Sequence, residues 1–135
     1  MVVTPDDQVK VLDFGLAKRL ATDELGDATT LSRQSLSEPG VVAGTPAYMA
    51  PEQLLGRPAD ARSDIWALAV VLYELLSGQR PFQGKAGFEL SSAILNQPLR
   101  PLPTSVPAPL AAVIDRCLAK EPAARYQRAD EVRTA

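Results

Sequence analysis

The sequence predicts a mainly α fold: a short strand pair at the N-terminus, a long loop, then four to five helices. Three observations lead there. Residues 65–73, Ile-Trp-Ala-Leu-Ala-Val-Val-Leu-Tyr, are apolar on every side of a helix, the pattern of a helix at the centre of a larger body. Proline and glycine sit where helices start and stop, Pro51 at the first position of one candidate helix and Gly78 after another. Ser, Thr, Asp and Glu crowd residues 20–40 with no apolar period, and a loop that long inside a compact domain is usually functional or disordered.

Each element has its own signal. Val9-Lys10-Val11-Leu12 alternates apolar and polar, which favours a strand, and Thr4-Pro5-Asp6-Asp7 before it reads as a turn. Pro51-Glu52-Gln53-Leu54-Leu55 forms a short helix that Gly56-Arg57-Pro58 ends. Ser63 or Asp64 is expected to cap the apolar helix, which runs to about Ser77. Residues 86–96 carry an amphipathic pattern. A connector with Pro98, Pro101, Pro103, Pro107 and Pro109 follows. Residues 110–118 again repeat apolar side chains at helical spacing, and 129–134 form a last short helix. No internal repeat and no interdomain linker is visible.

Composition excludes several classes of function. A chain of 135 residues holds one small domain or a piece of a larger one. A formal charge of -2 argues against nucleic-acid binding, which calls for a basic face. There is no histidine, so Ser-His-Asp and Cys-His chemistry and histidine metal sites are out of reach. The single cysteine, Cys117, can form neither an internal disulfide nor a zinc cluster; on an apolar helix face it reads as a small buried hydrophobe. The apolar stretch 65–76 is too short to span a bilayer and Glu74 interrupts it. A cytoplasmic location is expected, with a membrane anchor elsewhere in a parent protein left open.

Four ordered motifs carry chemistry. Asp13-Phe14-Gly15 places a carboxylate at a strand end, a compact oxygen ligand of the kind magnesium takes alongside phosphates. Gly44-Thr45-Pro46-Ala47-Tyr48-Met49-Ala50-Pro51-Glu52 is followed by Arg62-Ser63-Asp64-Ile65-Trp66 at the mouth of the apolar helix. Lys120-Glu121-Pro122-Ala123-Ala124-Arg125-Tyr126 lies near the end. Together they resemble the C-terminal lobe of the eukaryotic-type protein kinases: the Asp-Phe-Gly loop, the Ala-Pro-Glu anchor and the Asp-x-Trp helix. Gly44 to Tyr48 is similar to the Ser/Thr branch. Ala50-Pro51-Glu52-Gln53 and Ser77-Gly78-Gln79-Arg80-Pro81-Phe82 are most similar to its bacterial members.

The resemblance covers essentially the whole chain, so residues 1–135 are expected to be a partial kinase domain with its activation segment at 13–52. The parent would be a two-lobed α+β kinase that moves the ATP γ-phosphate to protein Ser or Thr. It implies that Asp13, with Phe14 and Gly15, serves the ATP and Mg2+ site. Gly44, Thr45, Pro46, Ala47 and Tyr48 would face the protein substrate, with Thr45 bonding toward the catalytic aspartate. Glu52 would pair with Arg125 in the interior, Asp64 would brace the catalytic loop, and Trp66 and Tyr73 would be core aromatics. Val71 and Leu75 would anchor a packed spine. Thr22, Thr29, Thr30, Ser32, Ser35 and Ser37 are candidate phosphosites, where added charge could order the loop on an arginine.

The same family needs parts this sequence does not contain: a Gly-rich loop, a strand lysine and a His-Arg-Asp loop. The expectation is therefore a truncated reading frame in which Met1 is an internal methionine, incompetent alone and lacking its N-terminal lobe. The alternative is a non-catalytic docking module or a gene relic. One departure lies within the matched region: Ala69 stands where the family carries glycine in the central helix.

Overall fold

The computed structural model describes residues 2–3, 9–10, 46–85 and 87–135. Asp13, Phe14, Gly15, Gly44, Thr45 and the six candidate phosphosites lie outside the described residues, as do the Thr4–Asp7 turn and Val11-Leu12. The chain divides into two units, residues 1–35 and 36–135. In the first, β1 (Val2–Val3) and β2 (Val9–Lys10) pair antiparallel, with Val2 opposite Lys10 and Val3 opposite Val9.

The second unit is helical. A 3-10 turn, Pro46–Tyr48, leads to α1 (Pro51–Leu54), α2 (Ala61–Ser77), α3 (Phe88–Asn96) and α4 (Ala108–Cys117). A second 3-10 turn, Pro122–Ala124, precedes α5 (Ala129–Thr134). Pro51 opens α1, where its missing N–H costs nothing. The Gln53 side chain closes that end by accepting from the Ala50 N–H at 2.9 Å. Gly56 and Gly78, at φ 69° and 70°, end the first two helices in the left-handed region that glycine enters without strain.

The cap of α2 differs from the sequence expectation. Asp60, not Ser63 or Asp64, is the N-cap: its backbone is extended and its carboxylate accepts from the Arg62 N–H at 2.8 Å. Ser63 sits one turn in. Its hydroxyl accepts from the Asp60 N–H at 3.3 Å, completing a reciprocal box. Asp60-x-x-Ser63 thereby satisfies two backbone donors reciprocally at the start of the helix.

The core closes around α2. Trp66 and Phe82 stack with ring centroids 5.7 Å apart and planes 6° apart. Ile65, Ala69, Val70 and Tyr73 from α2 meet Leu90, Ala93 and Ile94 from α3 and Ile114 and Cys117 from α4. Ala69 is fully buried in this cluster, so the methyl where the family carries glycine is accommodated. The proline-rich connector wraps the same core: Leu99 and Leu102 pack on it, and the Tyr73 hydroxyl donates to the Arg100 carbonyl at 3.2 Å.

α2 is not enclosed all round among the described residues. Leu68, Leu75 and Leu76 are exposed, Leu75 at 72%. Positions 68, 71 and 75 share one helical stripe, so the helix buries one apolar face and presents another. The expected anchoring at Leu75 is thus not made by any described residue.

Candidate functional site

The site is built from the residues flanking α1. Ala47 and Ala50 are buried, and the Pro46–Tyr48 turn packs against α2 and α3. Tyr48 is pinned by its phenol, which donates to Glu74 Oε2 at 2.8 Å. That bond, reinforced by burial, raises the Tyr48 pKa above its ordinary value, so the phenol stays protonated as a donor. Arg80 Nε approaches the other Glu74 oxygen at 3.7 Å. Glu74, Gln79, Arg80, Phe82 and Leu90 line an open groove of about 290 Å³ that shares Glu74 and Arg80 with this contact.

Glu52 of α1 belongs to a buried charge pair. Arg125 donates from both terminal nitrogens to both Glu52 oxygens at 2.8 Å. Neither side chain is more than 6% exposed. Every remaining donor of Arg125 is used: Nε reaches the Ala119 carbonyl at 2.8 Å, and the terminal nitrogens reach the carbonyls of Arg62 and Lys120 at 3.1 Å. Ser63 donates to Glu52 Oε1 at 2.7 Å. Burial pushes the Glu52 carboxyl upward, but the bonds from Arg125 and Ser63 outweigh it, and its pKa falls below the usual value. A buried pair survives only when its donors and acceptors are satisfied this fully.

The aromatic pair touches this network from the other side. The Arg125 guanidinium lies 5.0 Å from the Trp66 ring centroid. The Lys120 ammonium lies 3.6 Å from the Phe82 centroid and 5.6 Å from that of Trp66. Burial draws Lys120 down to about 8. Cys117 moves the other way: burial pushes its thiol up to about 11, which keeps it protonated and unreactive.

The structure therefore places Pro46, Ala47 and Tyr48 in one turn and brings Glu52 to Arg125 across 73 residues of sequence. It does not bring Asp64 to anything described: Asp64 is exposed in the first turn of α2. Sequence reasoning missed Ser63 as a Glu52 ligand, Glu74 as the Tyr48 partner, and Lys120. Glu74 did carry a signal, as the single charge interrupting an apolar helix. Lys120 stands in the fourth motif, but nothing local marked its contacts with Ile94, Phe82 and Trp66. Among the described residues no group of three or more acidic or sulfur side chains could hold a metal ion. No described helix is long and apolar enough to cross a membrane.

A protein kinase domain model matches residues 1–134. The chain belongs to the protein kinase family. Within that family it is similar to the serine/threonine-protein kinase PknA of Mycobacterium tuberculosis, 39% identical over 127 residues, covering 94% of this chain and 27% of the relative. It is 37% identical over 132 residues to PknA of Corynebacterium glutamicum, covering 98% and 26%. It is 44% identical over 124 residues to the serine/threonine-protein kinase Pkn1 of Myxococcus xanthus, covering 87% and 16%. The chain thus spans about a quarter or less of the length of these curated relatives. In this chain the pairing of Glu52 with Arg125 ties the Ala50-Pro51-Glu52 segment to the residues just before α5.

Proposed function

We propose that this chain is the substrate-side, C-terminal-lobe part of a Ser/Thr protein kinase domain, running from just before the Asp-Phe-Gly loop. In the complete domain the acceptor hydroxyl oxygen of a protein Ser or Thr attacks the γ-phosphorus of ATP, and the bond to the ADP oxygen breaks. The observation that carries the reading is the buried pairing of Arg125 with Glu52 on α1, the helix that follows the Pro46–Tyr48 turn in the chain. A pair so desolvated holds α1 in place at the end of the segment that carries that turn, and fixed geometry is what a substrate wall needs. The names of the similar proteins, serine/threonine-protein kinases, support that acceptor class.

Asp13 would hold magnesium: one carboxylate followed by an apolar residue and a glycine suits a cation that takes one or two carboxylates plus phosphates. When bound, the ion neutralises charge on the phosphates. Phe14 and Gly15 complete that loop, Gly44 and Thr45 continue the wall begun at Pro46, Thr45 bonds toward the catalytic aspartate, and Asp64 braces the catalytic loop. The activation segment, 13–52, carries the phosphosites, and the sources of the Gly-rich loop, the strand lysine and the catalytic loop are other residues of the complete protein. ATP, Mg2+ and a protein substrate are the expected ligands.

The chain alone is expected to transfer no phosphate, because no residue in it supplies the catalytic loop. The measurement is phosphate incorporation from labelled ATP into a Ser/Thr peptide library, by the 135-residue chain and by the complete domain. Incorporation by the complete domain that Asp13→Asn abolishes supports the reading. Transfer by the isolated chain overturns the assigned division of labour. The second reading, a non-catalytic docking module, is favoured by the closed core around Trp66. It is supported instead if the complete domain is inactive and the chain is a monomer that melts cooperatively.

A further inference from the structure

We propose that Lys120 is a positioning residue for the substrate-facing turn, acting through α3. The proposal rests on the reading of Pro46–Tyr48 as a substrate wall.

α3 ends differently from α1 and α2. α1 and α2 each run into a glycine in the left-handed conformation, at Gly56 and Gly78. α3 does not. Its C-cap, Gln97, is extended at φ -77° and ψ 140°, and only its own N–H turns back, to the Ala93 carbonyl. The last carbonyls of a helix need donors from elsewhere. For Ile94 that donor is the Lys120 ammonium, 26 residues away, at 2.5 Å. A cation there also meets the negative end of the helix dipole.

Lys120 is held at that point from the other side by the faces of Phe82 and Trp66. Its own carbonyl accepts from Arg125, which is locked to Glu52. No carboxylate lies within ion-pair distance of its ammonium among the described residues. The charge thus serves one carbonyl and one pair of rings.

The start of α3 is pinned separately. Gly87 offers no side-chain cap, and Gly84 packs so close that an added Cβ would lie 2.7 Å from the Leu90 nitrogen. A nine-residue helix is marginal by itself, so its position is set by these outside contacts. α3 packs against the Pro46–Tyr48 turn. Lys120 therefore connects the Glu52–Arg125 network to that turn through α3, and loss of its side-chain donor frees one end of the helix that backs the wall.

The test uses the complete kinase domain carrying this chain. Lys120→Met keeps the length and removes the charge and the donor. The expected result is a rise of about five-fold in KM for the protein substrate, with kcat and KM for ATP within about twofold of wild type. Lys120→Arg, which can donate to the carbonyl and stack on the rings, returns that KM to within about twofold of wild type. An unchanged KM with a lowered melting temperature overturns the proposal and leaves Lys120 a stabilising residue. If the wild-type domain transfers no phosphate, the functional reading fails on its own. The tether is then decided by hydrogen exchange of the Ala47 and Tyr48 amides in the chain. Faster exchange in Lys120→Met that Lys120→Arg reverses sustains it, and equal exchange refutes it.

Discussion

Two arginine–carboxylate contacts show how location decides what the same chemistry is worth. Arg125 and Glu52 meet at 2.8 Å with side chains 0% and 6% exposed. Arg62 and Asp60 meet at 2.5 Å with side chains 32% and 39% exposed. The second contact is the shorter, yet water competes for both of its partners. In the first, water is excluded and every donor is spoken for by a carbonyl, a hydroxyl or the partner carboxylate. Distance therefore ranks these pairs wrongly and burial ranks them correctly.

The largest expected effect comes from breaking the buried pair. Arg125→Ala leaves the Glu52 carboxylate buried without a counter-ion and is expected to cost about 3–5 kcal/mol, read as a shift of the urea midpoint. A loss below about 1 kcal/mol would mean that Glu52 escapes to solvent, contrary to its geometry. Arg125→Lys does not restore the fold fully, because an ammonium cannot serve two carboxylate oxygens and three carbonyls from one plane.

Acid titration separates the two contacts next. The folded Glu52 pKa lies below its unfolded value of 4.5. Its contribution is therefore complete above the unfolded value and is lost as pH falls through the lowered folded value. A Glu52→Gln variant is expected to be less stable at neutral pH and to show a flatter loss between pH 5 and pH 3. If wild type and variant decline in parallel over that window, other carboxylates carry the acid sensitivity.

The smallest effect belongs to Asp60. Asp60→Ala is expected to cost about 1 kcal/mol as a lost helix cap. Asp60→Asn should recover most of it, since the amide oxygen still accepts from the Arg62 N–H. A failure of Asn to recover would assign the effect to the Arg62 charge instead.

Much of this architecture is legible locally. Pro51, Gly56 and Gly78 mark helix ends because proline tolerates the first turn and glycine the left-handed exit, and both rules act within a few residues. The apolar run 65–73 is readable as a buried helix on composition alone. The α2 cap is misread because Ser63 and Asp64 are as good capping types as Asp60. Which one caps depends on reciprocal bonds that a residue list does not rank. The outward face of α2 is misread for a related reason: periodicity reports that both faces are apolar but not which face meets α4 and which does not.

The site divides along the same line. The four motifs, their order and the residue types in them belong to the sequence by itself, and they are enough to point to the kinase family. Only the tertiary structure decides that Glu52 and Arg125 share both oxygens with Ser63 joining, that Tyr48 is held by Glu74, and that Lys120 reaches the end of α3. Those contacts span 11, 26 or 73 residues. Propensity and capping act over a single turn of chain, whereas contacts at such separations form only when packing has already brought their elements together.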